Sequence, residues 1–535
     1  MTYLFETILS GTPIKFPQIS YTSIFPEAIL IGVAVTLMLA VALIGKREAT
    51  YGYTGLGVAA ALASGIWSYH LSQNVSSHGA KSVIGGSLAV DGFSTFFMIL
   101  TSIGLIVTLL VAEAYIYKVA SKGPEFVALA LLSASGAMLM ESAYDLLVLF
   151  IGLEILSISL YVMVAYTTSR KLAKESAFKY FILGGFASAL FLYGVALTYG
   201  ATGSTNLAKI ALFLSKNTLT SSGVLLAGMV LMLAGLGFKV ALVPFQFWTP
   251  DVYQGAPTTV TGYMSGVVKA AGFAALLRVF YVAFGTLRAD WQPVLLVISI
   301  LTLSAGAVLA VIQKDVKRML AYSSINHAGF ILLGLYVATV ASLGDSLYYL
   351  FAYTIMSSGT FAVISMIAHL EGRTEMSLSL DDLKGLGKRY PKVALSLAVL
   401  LLAQAGAPFT IGFLAKFSVL SAVIEAHHYA LGTVAMLSVV VAAVLYLRIT
   451  LSMYSATSGI VEEALDATQL ERIPDVSLGA VAVELEVEEV VQVKMDSGVP
   501  IAAGVAVFLT LAMTIGLALD ANPLVHFAAQ ATLLK

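Results

Sequence analysis

Three lysines and one glutamate stand where a chain this apolar has no structural need of charge. Lys239 lies in GLGFKVALVPFQF, five residues before Pro244. Lys269 sits in the middle of the next apolar run, 257–280. Lys416 follows Pro408 in AQAGAPFTIGFLAKFSVL, and Glu154 is central in LFIGLEILSISLYVM. Charge in hydrocarbon is costly, so such a side chain pairs, faces water or handles an ion. Desolvation brings the protonation states of a buried lysine and a buried carboxylate closer together, so a proton can pass between them. His327, in SSINHAGF, adds a group that titrates near physiological pH and suits a relay. Plainer readings stand beside these. Glu154 could be an ion-pair partner, the lysines could snorkel to an interface, and His327 could be a hydrogen-bonded core residue. Tyr322, Ser323, Ser324 and Asn326 could hold water around it.

The elements that must position these groups are membrane helices. A crossing needs about 20 apolar residues, and the chain offers about 14 such runs. They are 23–44, 52–72, 91–117, 125–141, 143–167, 176–200, 222–247, 257–280, 293–312, 318–339, 345–370, 393–424, 430–454 and 499–520. The seventh and twelfth contain Pro244 and Pro408 and read as broken helices, because proline removes a donor and crowds the preceding turn. Broken helices at membrane depth occur where protein or water satisfies the freed backbone. Gly266 and Gly272 flank Lys269 and would leave room for water.

Composition agrees. The 535 residues are 59% hydrophobic and 11% charged, against about 25% charged in soluble domains. Mean hydropathy is +0.92. The net charge of −1 gives no reason to expect nucleic acid. With no cysteine there is no disulfide, thiolate metal site, iron–sulfur cluster or cysteine nucleophile on this chain. No cofactor is expected here, and no cleavable signal segment is evident. Lysine and arginine concentrate on one alternate set of loops, which includes Lys171, Lys317 and Arg318; Arg278 falls in the sparser set. The positive-inside rule makes the rich side cytoplasmic and puts both termini outside.

SAFKYFILGGFASALF at 176–191 aligns weakly with SLYYLFAYTIMSSGTF at 346–361. In the same offset Glu154 falls on Ser324 and Ser157 on His327. Two units of five helices, each of opposite orientation, follow from the odd number per unit. The division expected is 1–124, a three-helix region; 125–292, the first inverted repeat; 293–454, the second; 455–498, an acidic cytoplasmic segment; and 499–535, a last helix. VAVELEVEE at 481–489 alternates like a short strand and could dock a neighbouring subunit, or be a solvated linker. Asp251, in WTPDVYQGAPT, would fix the loop between the seventh and eighth helices. Glu113, Glu141, Asp145, His369 and Glu371 lie near run ends, where interfacial solvation explains them. The adjacent His427 and His428 are poor evidence for a metal.

GFKVALVPFQFWTPDVYQGAPTTVTGYMSGVVKAAGF, QKDVKRMLAYSSINHAGF and DLKGLGKRYPKVALSLAVLLLAQAGAPFTIGFLAKF resemble the antiporter-like membrane subunits of bacterial proton-pumping NADH–quinone oxidoreductase, complex I. WTPDVYQGAPT is nearer the subunit N type than its sisters L and M. The likeness runs from about residue 90 to 454. It implies a proton path through Glu154, Lys239, Lys269 and Lys416, with flavin, iron–sulfur clusters and quinone on partner subunits. It implies an inner-membrane protein beside other membrane subunits, moving protons outward. The proton would run from Lys239, tuned by Glu154, to Lys269, through His327 and water, to Lys416. The rival is an Mrp-like cation/proton antiporter without redox coupling; a scaffold that no longer conducts is a third reading.

Overall fold

Hydrocarbon offers no partner to a backbone N–H or C=O, and a helix pairs its own. The long apolar runs accordingly fold as helices in the computed structural model, which describes residues 20–44, 50–118, 123–167, 171–217, 223–371, 378–456 and 499–534. Among the described residues a 3₁₀ turn at Tyr21–Ile24 leads into α1 (Phe25–Ile44), followed by α2 (Thr50–His78), α3 (Gly92–Lys118), α4 (Gly123–Ser142), α5 (Leu146–Val164), α6 (Lys171–Thr202) and the short α7 (Leu207–Lys216). Then α8 (Gly223–Lys239) stops and α9 (Trp248–Gly255) caps the gap. α10 (Thr258–Tyr263), a π-helical turn at Met264–Val268 and α11 (Lys269–Arg278) run on as one crossing. α12 (Arg288–Val311), α13 (Val316–Val337) and α14 (Val340–Leu370) follow. The last group is α15 (Leu386–Arg389), α16 (Pro391–Ala405), α17 (Ile411–Glu425), α18 (Tyr429–Tyr454), α19 (Ile501–Leu519) and α20 (Asn522–Gln530).

Among the described residues, 11 helical stretches are long and apolar enough to cross a bilayer. The other expected crossings take different forms. Residues 52–72 lie inside α2, the run at 222–247 is helical only as far as Lys239, and the run at 393–424 is split in two around Pro408. The fold is an all-α polytopic membrane protein.

Burial sorts the helices. The crossing at 258–283, α13 and α14 are almost wholly enclosed, whereas α5, α6 and α18 keep one side open. On α5, Leu147, Ile151, Ile158 and Val162 form an exposed apolar stripe. Leu153, Leu156, Ser157 and Leu160 face inward from the same helix. Such a stripe at helical spacing suits acyl chains. The helices that carry Lys269 and His327 therefore lie in the interior. Polar side chains fix where helices start. Asp145 caps α5 through Leu147 N–H, and Asp315 caps α13 through Arg318 N–H. Thr339 and Ser342 form a reciprocal capping box on α14.

Several expectations are corrected. Asp145 is a cap, so solvation alone does not explain it. Glu141 and Arg278 are fully buried, not interfacial, because each has polar partners inside the bundle. Lys317 is buried too and donates to the carbonyl of Ala256. A small antiparallel hairpin, β1 (Lys81–Val83) with β2 (Leu88–Val90), places Lys81 opposite Val90. Ile84, Gly85 and Gly86 turn it with positive φ. The strand expected at 481–489, with nearly all of the acidic segment 455–498, lies outside the described residues.

Candidate functional site

Both broken helices end the same way. At the end of α8, Ala241 has φ of 61°, its N–H bonds the carbonyl of Phe238, and Leu242 N–H reaches back to Gly237. At the end of α16, Gly406 has φ of 89°, its N–H bonds Ala403, and Ala407 N–H reaches Leu402. This pair of crossed bonds about a left-handed residue is the Schellman termination. It satisfies two of the terminal carbonyls and leaves the last ones free, at the negative end of the helix dipole.

A lysine meets the free end of α16, and another stands at the end of α8. Lys416 reaches back from α17 and donates to the carbonyls of Gln404 and Ala405 at 2.9 and 2.8 Å. Those are the carbonyls the termination leaves over. Its ammonium also lies 5.5 Å from the ring centre of Phe330. Lys239 is itself the last residue of α8, so the break falls at the lysine and not at Pro244. Its Nζ donates to Ser157 Oγ at 2.8 Å and lies 3.4 Å from Tyr180 OH. A cleft of about 10 Å³ beside it is lined by Ser157, Tyr161, Tyr180 and Lys239. That is about the space one water needs.

Lys269 opens α11, directly after the π-helical turn, and is buried. Its Nζ donates to the carbonyl of Ser324 at 2.7 Å and to its hydroxyl. One turn further along α13, His327 Nδ1 lies 2.8 Å from Tyr349 OH and Nε2 2.9 Å from Tyr446 OH. Tyr446 OH is 2.6 Å from Ser323 Oγ. A hydroxyl can donate or accept, so both the neutral ring and the imidazolium can be satisfied here. Lys269 reaches this stretch of α13 at Ser324, and Lys416 reaches it at Phe330, to either side of His327 in the sequence. Tyr349 stacks on Phe330, the ring beneath Lys416, at 6.0 Å.

The five expected residues are thus joined unevenly. Lys269, His327 and Lys416 share one cluster. Lys239 is linked to it through Gly272 of α11, where an added Cβ would come 3.3 Å from Lys239 Cγ and 2.7 Å from Val240 Cγ1. That glycine serves close packing and leaves no room for water, contrary to expectation. Gly266 packs against Ser358 in the same way. Glu154 makes no direct ion pair with Lys239. Its charge acts on the lysine through space, and Ser157, one turn away on α5, makes the contact. Glu154 Oε1 is buried without a hydrogen-bond partner. Of the four residues expected around His327, Ser323 and Ser324 take part. Asn326 instead donates to the carbonyl of Leu303.

Tyr180, Tyr349 and Tyr446 went unread in the sequence. Each lies in an apolar run that holds other tyrosines as well, and no local pattern singles it out. Ser157 did carry a signal, through its repeat alignment with His327. Asp251 does fix its loop: Lys179 of α6 and Arg318 of α13 donate to its two oxygens at 2.9 and 2.7 Å. Burial alone would push its carboxyl up, but these two partners hold it below the usual range. Chemically, the arrangement is a row of amines and one imidazole, each set on neutral oxygens that can exchange protons with water.

Residues 143–444 match the family model described as NADH:quinone oxidoreductase/Mrp antiporter, transmembrane. NADH-quinone oxidoreductase subunit N of Trichlorobacter lovleyi is 37% identical over 446 residues, 82% of this chain and 88% of that one. Among solved structures, a chain of respiratory complex I from Thermus thermophilus with bound aureothin superposes with a TM-score of 0.73. It is 30% identical, over 95% of this chain and all of the other. A chain of the Mrp complex from a Dietzia species reaches 0.74 at 22% identity, over 96% and 97%, which shows likeness of fold.

Proposed function

This chain belongs to the NADH:quinone oxidoreductase/Mrp antiporter membrane family, and from that premise we propose that it moves protons through Lys239, Lys269, His327 and Lys416. It is a subunit N-type membrane subunit of NADH-quinone oxidoreductase and works alongside other membrane subunits. Redox chemistry takes place on partner chains, which carry flavin, iron–sulfur clusters and quinone. Residues 125–292 and 293–454 are the two inverted units, each contributing one broken helix. The protein sits in the bacterial inner membrane with both termini outside.

One observation carries this reading. Lys239, Lys269 and Lys416 are each at least nine-tenths buried, and each donates to neutral oxygens. A permanent ammonium fixed for stability would be matched by a carboxylate, because an unmatched buried charge is strongly destabilising. An amine that gains and loses a proton needs partners that suit both states, and hydroxyls and carbonyls do so. Glu154 supplies a negative charge at a distance, which favours a proton on Lys239 without locking it there. The proton then passes to Lys269, to Ser324 and His327, and to Lys416. The Mrp-like antiporter reading shares the fold, and fold does not separate the two.

Inverted vesicles holding the assembled complex provide the test. With NADH supplied, Lys239→Ala and Lys416→Ala are expected to lose most proton uptake while quinone reduction by the detergent-solubilised complex persists. Uptake unchanged in both variants would overturn the relay. A pH gradient collapsed by added sodium or potassium without NADH would favour the antiporter reading.

A further inference from the structure

The relay leaves two buried carboxylates unused. Glu27 lies in the first turn of α1 and is 6% exposed; Glu141 lies near the end of α4 and is 0% exposed. Thr101 of α3 donates to Glu141 Oε1 at 2.6 Å, but Oε2 has no partner. Neither oxygen of Glu27 has one. α1 and α4 pack together, and Ser64 of α2 touches both beside the acids, reaching the carbonyl of Pro26 at 3.0 Å and the sulfur of Met138 at 3.5 Å. Arg278 approaches from α11 and donates to the backbone carbonyl of Glu141 at 2.9 Å. Its charge is already matched, since both oxygens of Asp91 accept from it at 2.7 and 3.0 Å. Tyr263 brings a buried hydroxyl without a partner within electrostatic range of Glu141.

Two like charges with three unpartnered oxygens cannot both be held in so dry a place. A proton on one of them removes that conflict. We propose that Glu27 and Glu141 form a second proton-holding site, a pair of buried acids that carries one proton between them and exchanges it with the lysine relay during turnover. The proposal rests on the relay reading. The link is α11, which carries Lys269 at one end and Arg278 at the other. Movement of that helix as Lys269 changes charge shifts Arg278, and with it the Glu141 backbone that Arg278 holds. Thr101 and Ser142 are the neutral groups beside the acids, and the Asp91–Arg278 pair adds no net charge.

Infrared difference spectra of the whole complex in vesicles read the proton directly. A carboxylic-acid C=O band, shifted in D₂O and altered when NADH is added, is expected in the unmodified protein. It should weaken or shift in each of Glu27→Gln and Glu141→Gln, vanish when both are changed, and move without vanishing in Thr101→Val, which removes only the donor. Glu141→Gln should also lower proton uptake per NADH oxidised. A band left unchanged by both glutamine variants, or still present when both acids are replaced, would overturn the proposal, as would full uptake in Glu141→Gln. If Lys239→Ala loses uptake while Glu141→Gln keeps it, the relay stands and the acid pair fails. If both keep it, the relay itself fails.

Discussion

His327 works only as well as the hydroxyls on its two nitrogens. Tyr446 OH joins His327 Nε2 to Ser323, so Tyr446→Phe strands two buried polar groups at once. A buried group left without its partner costs about 1–3 kcal/mol. Felt in the proton-transfer step, the middle of that range is roughly a thirtyfold loss of pumping rate. Tyr348 offers the control, because its hydroxyl is buried without a partner and Tyr348→Phe removes nothing that is bonded. Uptake rates in vesicles should separate the two, with Tyr348→Phe near the unmodified rate; equal rates would dismiss Tyr446. At this scale the sequence shows charge and hides the groups that satisfy it. A lysine in an apolar run is conspicuous for its cost, whereas a tyrosine there costs little and so marks nothing.

At the scale of elements, the end of α16 shows what a lysine gains from a terminated helix, since Lys416 takes its two free carbonyls. Prolines 244 and 408 marked both breaks in the sequence. They did not mark where the helices stop, which is set by the left-handed residues Ala241 and Gly406. Gly406→Ala should cost roughly 1–2 kcal/mol for an L side chain in that conformation. Its Cβ would also come 3.0 Å from Lys416 Cδ and push the ammonium from its carbonyls. Gly203 has φ of 73° at the end of α6 and open space around it. Gly203→Ala should carry the same backbone cost and leave pumping intact. Thermal unfolding and proton uptake, measured on both, test whether Gly406 matters for the lysine as well as the turn. The Asp251 clamp gives a pH expectation for another element, α9. Its carboxyl is held below the usual range, so its contribution is fully present above the ordinary aspartate value, about 3.9. That contribution is lost as pH falls through the lower, folded value. Asp251→Asn should therefore lower the melting temperature equally at pH 5 and pH 8, by the equivalent of about 1 kcal/mol for a partly exposed pair. A loss that grew between those values would contradict the assignment.

Across the whole molecule, the Asp91–Arg278 pair ties together parts of the chain that sequence reading kept apart. Asp91 caps α3 through Ser94 N–H at 2.7 Å, takes both arms of Arg278 from the end of α11, and accepts from Leu534 N–H at 2.9 Å. Thr532 completes the tail's attachment by accepting from Phe93 N–H. The sequence placed Arg278 in a loop because charge at a run end is ordinarily solvated; its partner lies 187 positions away, and no local pattern joins them. Helix count, the two breaks and the buried amines were legible because each follows from the cost of hydrocarbon. Long-range pairing was not, because it depends on which helices meet. Arg278→Gln leaves Asp91 as an unmatched buried charge, a loss of about 3–5 kcal/mol. Adding Asp91→Asn removes that charge and keeps an oxygen for the α3 cap. The double variant should therefore recover most of the stability lost by the single one, in melting temperature and in the amount of intact complex recovered from membranes. Recovery is expected to stop short of complete, because a neutral amide accepts more weakly from Leu534 than a carboxylate does. A double variant no better than Arg278→Gln would mean that the guanidinium is needed for its shape and its contact with the Glu141 carbonyl, and not to balance Asp91.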